Sequence, residues 1–177
     1  KTEVEKSGFV DRSKLLDISG RGRRRQIKLA GEMGITGYPT PAGGCLLTDE
    51  TFARRLKDMF VYGNDKRVLP LLLTGRHFRL SESCRMISGR NHEENIVLEN
   101  NREMVDAFLE PISHVGPSAA LFGQCTGKEV ELAGAVVARY GDAGVEEETL
   151  IRITTPDGEL EMSFAAASDE IIGKLRI

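Results

Sequence analysis

The chain has 177 residues and a formal net charge of −3, with 40% hydrophobic and 29% charged residues. This composition excludes a wholly disordered chain and is typical of one ordinary domain or two small ones. The apolar run from Val68 to Thr74 is much shorter than the roughly 20 residues that a membrane-spanning helix needs, so we expect no membrane contact and a cytoplasmic location. Because the chain starts at Lys1 without an apolar leader, we expect it to be a piece of a longer intracellular protein.

Basic and acidic residues are unevenly distributed along the chain. Residues 1–60 contain 12 Lys and Arg against 8 Asp and Glu, whereas residues 111–177 contain 5 against 11. A basic front of this kind favours contact with nucleic acid. Ordinary variation of a solvated surface explains the pattern equally well.

The first third of the chain predicts short helices separated by turns. Apolar spacing predicts a helix over Arg23–Met33, and Gly34 is a typical stop signal. After a loop rich in proline and glycine, a second helix is predicted over Thr51–Phe60, with Thr48 or Asp49 as its N-cap. We place a domain boundary at the turn that begins with Gly63, which gives domains 1–62 and 63–177.

Beyond this turn the pattern changes to short strands mixed with helices. Strands are predicted over Val68–Leu73, Arg76–Leu80 and Cys84–Ser88, an extended segment over 106–122, and a hairpin of Leu150–Thr154 with Leu160–Phe164. Helices are predicted after Asn91, over Lys128–Tyr140, and after a cap at Asp169. Without strict strand–helix alternation, this order predicts an α+β fold, in which a small helical segment precedes a mixed α/β domain with a mainly antiparallel sheet.

The three cysteines are Cys45, Cys84 and Cys125, an odd number at wide spacings with no C-x-x-C pair. Together with His77, His92 and His114 they do not have the spacing of a closed zinc site, so we expect no metal. The pattern also argues against a disulfide scaffold and favours a reducing compartment.

Cys45 is the candidate catalytic residue. It follows two glycines, where a ligand can approach the backbone closely, and it precedes a predicted helix whose N-terminus favours a thiolate. A buried structural cysteine is the alternative, because a cysteine outside a disulfide often packs as a small hydrophobic residue.

Two basic clusters are candidate contacts for RNA phosphates. The first consists of Arg21, Arg23, Arg24, Arg25 and Lys28, and the second of Arg76, His77, Arg79, Arg90 and Asn91. Strand alternation predicts Arg76 and Phe78 on one face of the sheet and His77 and Arg79 on the other. The alternatives are a solvated helix face for the first cluster, and an edge strand with a structural histidine for the second.

The stretch from Arg23 to Ile35, followed by the loop and Cys45-Leu46-Leu47-Thr48-Asp49, resembles the tRNA thiouridylases and their thiamine-biosynthesis-like relatives. In that family a helix of this kind leads from the ATP-pyrophosphatase domain to the catalytic cysteine. The resemblance implies that Cys45 receives a persulfide sulfur from a sulfur-relay protein and passes it to an adenylated uridine of tRNA. ATP and magnesium would be bound by the full-length enzyme, since this chain has no nucleotide-binding motif and needs no cofactor of its own.

A second resemblance covers the rest of the chain. Ile87-Ser88-Gly89-Arg90-Asn91 with Asn95 and Leu98, then Asp106–Leu109, His114–Ser118 and Glu131–Tyr140, resemble the RNA-binding domain of the NFACT family. This likeness implies that residues 63–177 bind RNA.

Together these patterns predict the C-terminal piece of an ATP-dependent tRNA sulfurtransferase, which supplies a persulfide cysteine and RNA binding. The full-length protein would be the enzyme, and this piece alone would be inactive. One alternative is a non-catalytic RNA-binding module in which Cys45 is structural. The other is a sulfur donor in thiamine or another cofactor pathway that does not bind tRNA, and the oligomeric state is left open.

Overall fold

The computed structural model describes residues 2–20, 22–37, 45–144 and 147–177. The chain divides into two compact units, residues 1–45 and 46–177. In the first unit, α1 covers Glu3–Lys6, a 3₁₀ turn covers Arg12–Lys14 and α2 covers Arg24–Glu32. None of the described residues of this unit is buried.

The second unit is built on a six-stranded sheet in the order β1-β2-β4-β3-β5-β6, in which all neighbouring strands are antiparallel. The strands are β1 Arg76–Arg79, β2 Cys84–Ser88, β3 Ala107–Pro111, β4 Ala119–Gly123, β5 Thr149–Thr155 and β6 Gly158–Phe164. The helices of this unit are α3 Glu50–Val61, α4 His92–Asn100, α5 Gly127–Tyr140 and α6 Asp169–Leu175, with 3₁₀ turns at Leu46–Thr48, Lys66–Leu71 and Arg102–Met104. The predicted α+β class with a mainly antiparallel sheet is therefore confirmed.

Helices cover both faces of this sheet. On one face α5 and α6 bury Val136, Val137 and Ile172 against the strands. On the other face α3, the 3₁₀ helix at Lys66–Leu71 and α4 form a second core with Met59. The side chains of β1 alternate between these two faces of the sheet. Phe78 packs in the first core, whereas His77 lies on the other face beside Arg85 of β2, which donates to the Arg55 carbonyl oxygen of α3.

Most helix starts follow from local capping. Asp49, Asn91 and Ser168 accept backbone hydrogen bonds at the starts of α3, α4 and α6, and Thr126 and Glu129 form a reciprocal capping box at α5. The last helix therefore uses Ser168 as its cap, one residue before the predicted Asp169. Among the described residues, no helix combines the length and the apolar composition that a membrane-spanning segment requires.

The predicted strand at Val68–Leu73 is wrong. This segment is the 3₁₀ helix Lys66–Leu71, capped by the Asp65 side chain and containing Pro70. Its buried Val68 and Leu71 pack beneath α3, and a short apolar run of this kind has no periodicity that separates a strand from a tight helix.

The expectation that the cysteine spacing argues against disulfide bonding is also wrong, because Cys84 and Cys125 form a disulfide across 41 residues of sequence. Sequence spacing does not reveal the pair, since β2 and the segment after β4 become neighbours only when the sheet forms. The division into compact units falls between residues 45 and 46, and α3 belongs to the second unit because it buries its apolar face against the sheet. The boundary near Gly63 stays a prediction. The assignment of residues 1–62 to a catalytic domain stays a prediction.

Candidate nucleic-acid interface

A cavity of about 370 Å³ lies where β2 ends and α4 begins. It is also bordered by the loop between β3 and β4 and by the C-terminal end of α5. Three of the residues singled out from the sequence, Arg76, Arg90 and Asn91, line this cavity together. The fold thus brings residues from β1 and from the start of α4 to one place.

Arg76 and Tyr140 form the back of the cavity. The guanidinium carbon of Arg76 lies 4.2 Å from the centre of the Tyr140 ring, and Arg76 Nη1 donates a hydrogen bond of 2.9 Å to the carbonyl oxygen of Gly89. This geometry holds the guanidinium plane against an aromatic ring. A fixed arginine plane of this kind is a surface on which a base can stack.

The loop before α4 is held by close backbone packing. A Cβ atom at Gly89 would lie 2.0 Å from Asn95 Oδ1, so a larger residue at this position would displace the Asn95 amide. Asn95 Oδ1 accepts the Ser118 N–H at 3.1 Å, and the Gly89 N–H donates to the Ser118 carbonyl oxygen at 3.0 Å. Gly89 and Asn95 therefore join α4 to the start of β4 and fix the direction in which Arg90 leaves the sheet.

Arg90 and Asn91 occupy the entrance to α4. Arg90 pairs with Glu94, which also accepts the Arg90 backbone N–H at 2.8 Å, and this pairing lowers the pKa of Glu94 to about 2. Asn91 Oδ1 accepts the Glu94 N–H at 2.9 Å and so acts as the N-cap. Arg90 is exposed at the cavity, and its charge is paired with that of Glu94.

A third arginine, which the sequence analysis missed, lies beside β1. Arg176 pairs with Phe78 through an isolated antiparallel bridge, and the Ile177 N–H donates to the His77 carbonyl oxygen at 3.0 Å. Burial lowers the pKa of the Arg76 guanidinium, and the charges of Arg176 and Arg90 lower it further. We call Arg76, Arg90 and Arg176 the basic edge.

The other two residues predicted on β1 belong to the opposite face of the sheet. His77 is 1% exposed; its Nε2 lies 2.9 Å from the Thr74 carbonyl oxygen, and its Nδ1 lies 2.9 Å from Arg85 Nη2. It is therefore the hydrogen-bonded structural histidine of the alternative interpretation, and it does not reach the surface. Arg79 is paired with Asp58 on α3, away from the basic edge.

The first unit carries the remaining predicted residues. Arg23, Arg24, Arg25 and Lys28 are exposed at the start and along the length of α2, where Arg25 Nη2 lies 2.8 Å from Asp17 Oδ1. Cys45 is exposed as well, and the disulfide of the second unit does not include it. Arg21 and residues 38–44 of the proline-rich loop before Cys45 lie outside the described residues.

Comparison with known proteins decides the family. A family model described as the NFACT protein RNA binding domain matches residues 75–175. The chain belongs to this family. The match begins just before β1 and ends at the last residue of α6, so it includes all six strands of the sheet and α4, α5 and α6.

A solved structure shows the same fold. The C-terminal part of the fibronectin/fibrinogen-binding protein from Streptococcus suis is similar with a TM-score of 0.51, at 9% sequence identity, over 87% of this chain and 79% of that chain. At this identity the likeness concerns the fold alone. No curated protein matches the chain in sequence.

Sequence reasoning identified part of the site in this NFACT domain. The Gly-Arg-Asn run after a strand indicated Arg90 and Asn91, and alternation indicated Arg76. It missed Tyr140 and Arg176, which stand at the end of a helix and at the end of the chain. The spacing of residues in the sequence does not indicate that these two positions lie next to β1.

Proposed function

We propose that the NFACT domain binds RNA at the basic edge, with tRNA as the partner. The observation that carries the proposal is that the family match includes a cavity lined by Arg76, Arg90 and the ring of Tyr140. The charge of Arg176, which follows the matched residues, acts on Arg76 from beside β1. Arginines neutralise backbone phosphates, and a guanidinium held on a tyrosine ring provides a surface on which a base can stack. The start of α4 adds backbone N–H groups, which favour phosphate oxygens.

The experiment compares two matched arginines. Arg90→Ala removes an exposed arginine paired with Glu94, and Arg152→Ala removes a half-buried arginine on β5 paired with Glu161. We expect Arg90→Ala to weaken tRNA binding, measured by fluorescence anisotropy, and to lower the slope of log affinity against log salt by about 1. Arg152→Ala leaves both quantities unchanged. Equal effects of the two substitutions contradict binding at the basic edge.

We further propose that this RNA binding serves a tRNA sulfurtransferase in which Cys45 is the persulfide cysteine. The resemblance of the Arg23–Asp49 stretch to the thiouridylases and the exposure of Cys45 support this finer function. The terminal sulfur of the Cys45 persulfide would attack the activated carbon of an adenylated uridine, and AMP would leave. A second thiolate, from a cellular thiol reductant, would then attack Cys45 Sγ, so that the S–S bond breaks, thiouridine is released and Cys45 is left in a mixed disulfide with that thiol. ATP and magnesium would be bound by parts of the enzyme other than residues 1–177.

Cys45→Ser in the full-length protein tests this function. We expect thiouridine to disappear from cellular tRNA while tRNA affinity stays at the wild-type value. Retained thiouridine refutes the role of Cys45 and leaves a non-catalytic RNA-binding module. Loss of a sulfur-containing cofactor such as thiamine, with thiouridine unchanged, instead indicates sulfur transfer in a cofactor pathway.

A further inference from the structure

A second cavity, of about 410 Å³, lies at the other end of β2 from the basic edge. We call it the Tyr62 pocket; its floor contains buried Met59 and Phe122, and Ser83 and Gln124 stand at its rim. The five residues of β2 separate the two cavities by about 17 Å. The size and the apolar floor are those of a site for one small planar molecule.

The rim of the Tyr62 pocket is held in place by the strands. The Gln124 N–H donates to the Ser83 carbonyl oxygen at 3.0 Å, and the neighbouring residues Cys84 and Cys125 form the disulfide. A ligand therefore meets a rim that is already ordered, which reduces the entropy lost on binding.

Tyr62 offers a stacking surface at the mouth of the pocket. Its side chain is 44% exposed, and the guanidinium carbon of Arg79 lies 4.7 Å from the centre of its ring. Arg79 is held by Asp58, with Arg79 Nε 3.2 Å from Asp58 Oδ2. A tyrosine ring and a guanidinium plane held in this way are the kind of surface on which unpaired bases stack.

The charges of the Tyr62 pocket select against a phosphate. Arg79 and Arg85 line it, but Asp58 lies within ion-pair distance of both. The other lining carboxylate, Asp65, pairs with Arg67, which also pairs with Asp106. Three positive charges therefore stand against three negative ones. This balance favours an uncharged ring with hydrogen-bonding groups at its edge, in contrast to the excess of arginines at the basic edge.

Polar groups for the edge of such a ring are present in the wall. Arg85 is 2% exposed, and within the described part of the chain its Nε and Nη1 atoms have no hydrogen-bond partner, although Nη1 lies 3.4 Å from Asp58 Oδ1. Buried donors without acceptors are costly, so a ligand carbonyl oxygen that reached them would bind favourably. The Asp65 carboxylate also lines the pocket, but both its oxygens already accept from Arg67, so the wall offers donors to a base rather than acceptors.

We propose that the Tyr62 pocket takes up one unpaired nucleobase of the bound RNA. This inference rests on the proposed RNA binding and adds a separate site to it. The base stacks on the Tyr62–Arg79 surface, its edge meets the polar wall, and its phosphates stay outside the pocket. The basic edge, about 17 Å away, holds the backbone of the same RNA.

The test uses the full chain and two RNA hairpins of equal length. One carries a single bulged 2-aminopurine, whose fluorescence is quenched when it stacks, and the other has the same base paired. The variants are Tyr62→Ala, Tyr62→Phe as the conservative change, and Phe60→Ala as the matched control, since Phe60 is also an exposed aromatic residue near the end of α3. Circular dichroism verifies that each variant is folded.

We expect Tyr62→Ala to weaken binding of the bulged hairpin by about 5- to 150-fold and to abolish the quenching. Tyr62→Phe and Phe60→Ala retain both, and the affinity for the paired hairpin stays unchanged in all variants. Equal affinity for the two hairpins, insensitive to Tyr62→Ala, overturns the base pocket while RNA binding itself stands.

Two further outcomes also overturn the proposal. Absence of binding to either hairpin at low salt refutes the proposed function together with the pocket. Quenching of the 2-aminopurine riboside alone, lost in Tyr62→Ala, without discrimination between the hairpins, means that the pocket binds a nucleoside in solution rather than a base of RNA.

Discussion

His77 makes the stability of the domain depend on pH in a defined window. Its ring is buried between the Thr74 carbonyl oxygen and Arg85, so Nε2 carries the proton and Nδ1 accepts from the guanidinium. Burial, and then the positive charges of Arg85 and Arg55, lower the pKa of His77 well below its usual 6.5. The folded protein therefore keeps this ring neutral in conditions where the unfolded chain takes up a proton.

The magnitude follows from proton linkage. Below the unfolded pKa of about 6.5, the unfolded state binds one more proton than the native state, so the free energy of unfolding falls as the pH falls. Integration from pH 7.5 to pH 5.5 gives a loss of about 1.4 kcal/mol from His77 alone. The loss continues on further acidification until the pKa of the folded state is reached, and above pH 7.5 the contribution is constant.

Urea unfolding of the wild type and of His77→Gln at pH 7.5 and pH 5.5 measures this contribution. The glutamine amide retains a donor for Thr74 but does not titrate, so the variant is less stable at both pH values because Arg85 loses an acceptor. We expect the wild type to lose about 1.4 kcal/mol more than the variant over this window. An equal loss in both proteins refutes the argument that His77 is buried in its neutral form.

Three further predictions concern the stability of the second unit, each measured by urea unfolding. Asp58→Asn leaves two arginines without their carboxylate and should cost about 3–5 kcal/mol, whereas Glu161→Gln in an exposed pair should cost less than about 1 kcal/mol. Reduction of the Cys84–Cys125 disulfide opens a loop of 41 residues and should cost about 2–4 kcal/mol, and the Cys45→Ser variant should lose the same amount on reduction because Cys45 is not part of this disulfide. Gly134→Ala would place a Cβ atom 2.5 Å from the Phe164 ring, so we expect a loss of about 1–3 kcal/mol in spite of the better helix propensity of alanine. If a variant or the reduced protein has the same free energy of unfolding as the untreated wild type, the contact that it removes or disturbs does not contribute as proposed.

Long elements with a clear period were predictable from the sequence. The helix predicted over Lys128–Tyr140 is α5, which starts one residue earlier, and the strand predicted over Cys84–Ser88 is β2 with the same bounds. The hairpin around Asp157 and Gly158 is β5 and β6. These elements depend on caps, turn residues and apolar spacing, all of which act over a few residues.

The strand prediction for the apolar run at Val68 failed because the residues that pack against this run are distant in sequence. Its burial comes from α3 and from β2 and β4, and the chain there uses the Asp65 cap and Pro70 to form a 3₁₀ helix. A run buried on several sides has no polar face, so its period cannot be determined. The packing of the tertiary structure decided its conformation.

The candidate site was predictable only in part, again because some of its residues are distant in sequence. The Gly-Arg-Asn sequence at residues 89–91 marks the start of α4, because asparagine caps the helix and glycine permits the close approach of Asn95. Nothing in the sequence shows that Tyr140 lies under Arg76 or that Arg176 runs beside β1. Those contacts join positions that lie 64 or more residues apart along the chain, as Tyr140 and Arg76 do.

By itself the sequence determined the α+β class, the positions of most helices and strands, and the Gly-Arg-Asn start of α4 with its likeness to an NFACT RNA-binding domain. Only the tertiary structure decided which candidates share a surface. It placed Arg76 and Arg90 at one cavity, buried His77, paired Cys84 with Cys125 and formed the Tyr62 pocket. The physical reason is that helix caps and turns are local interactions, whereas a binding site depends on burial and charge contributed by strands that meet only in the folded sheet.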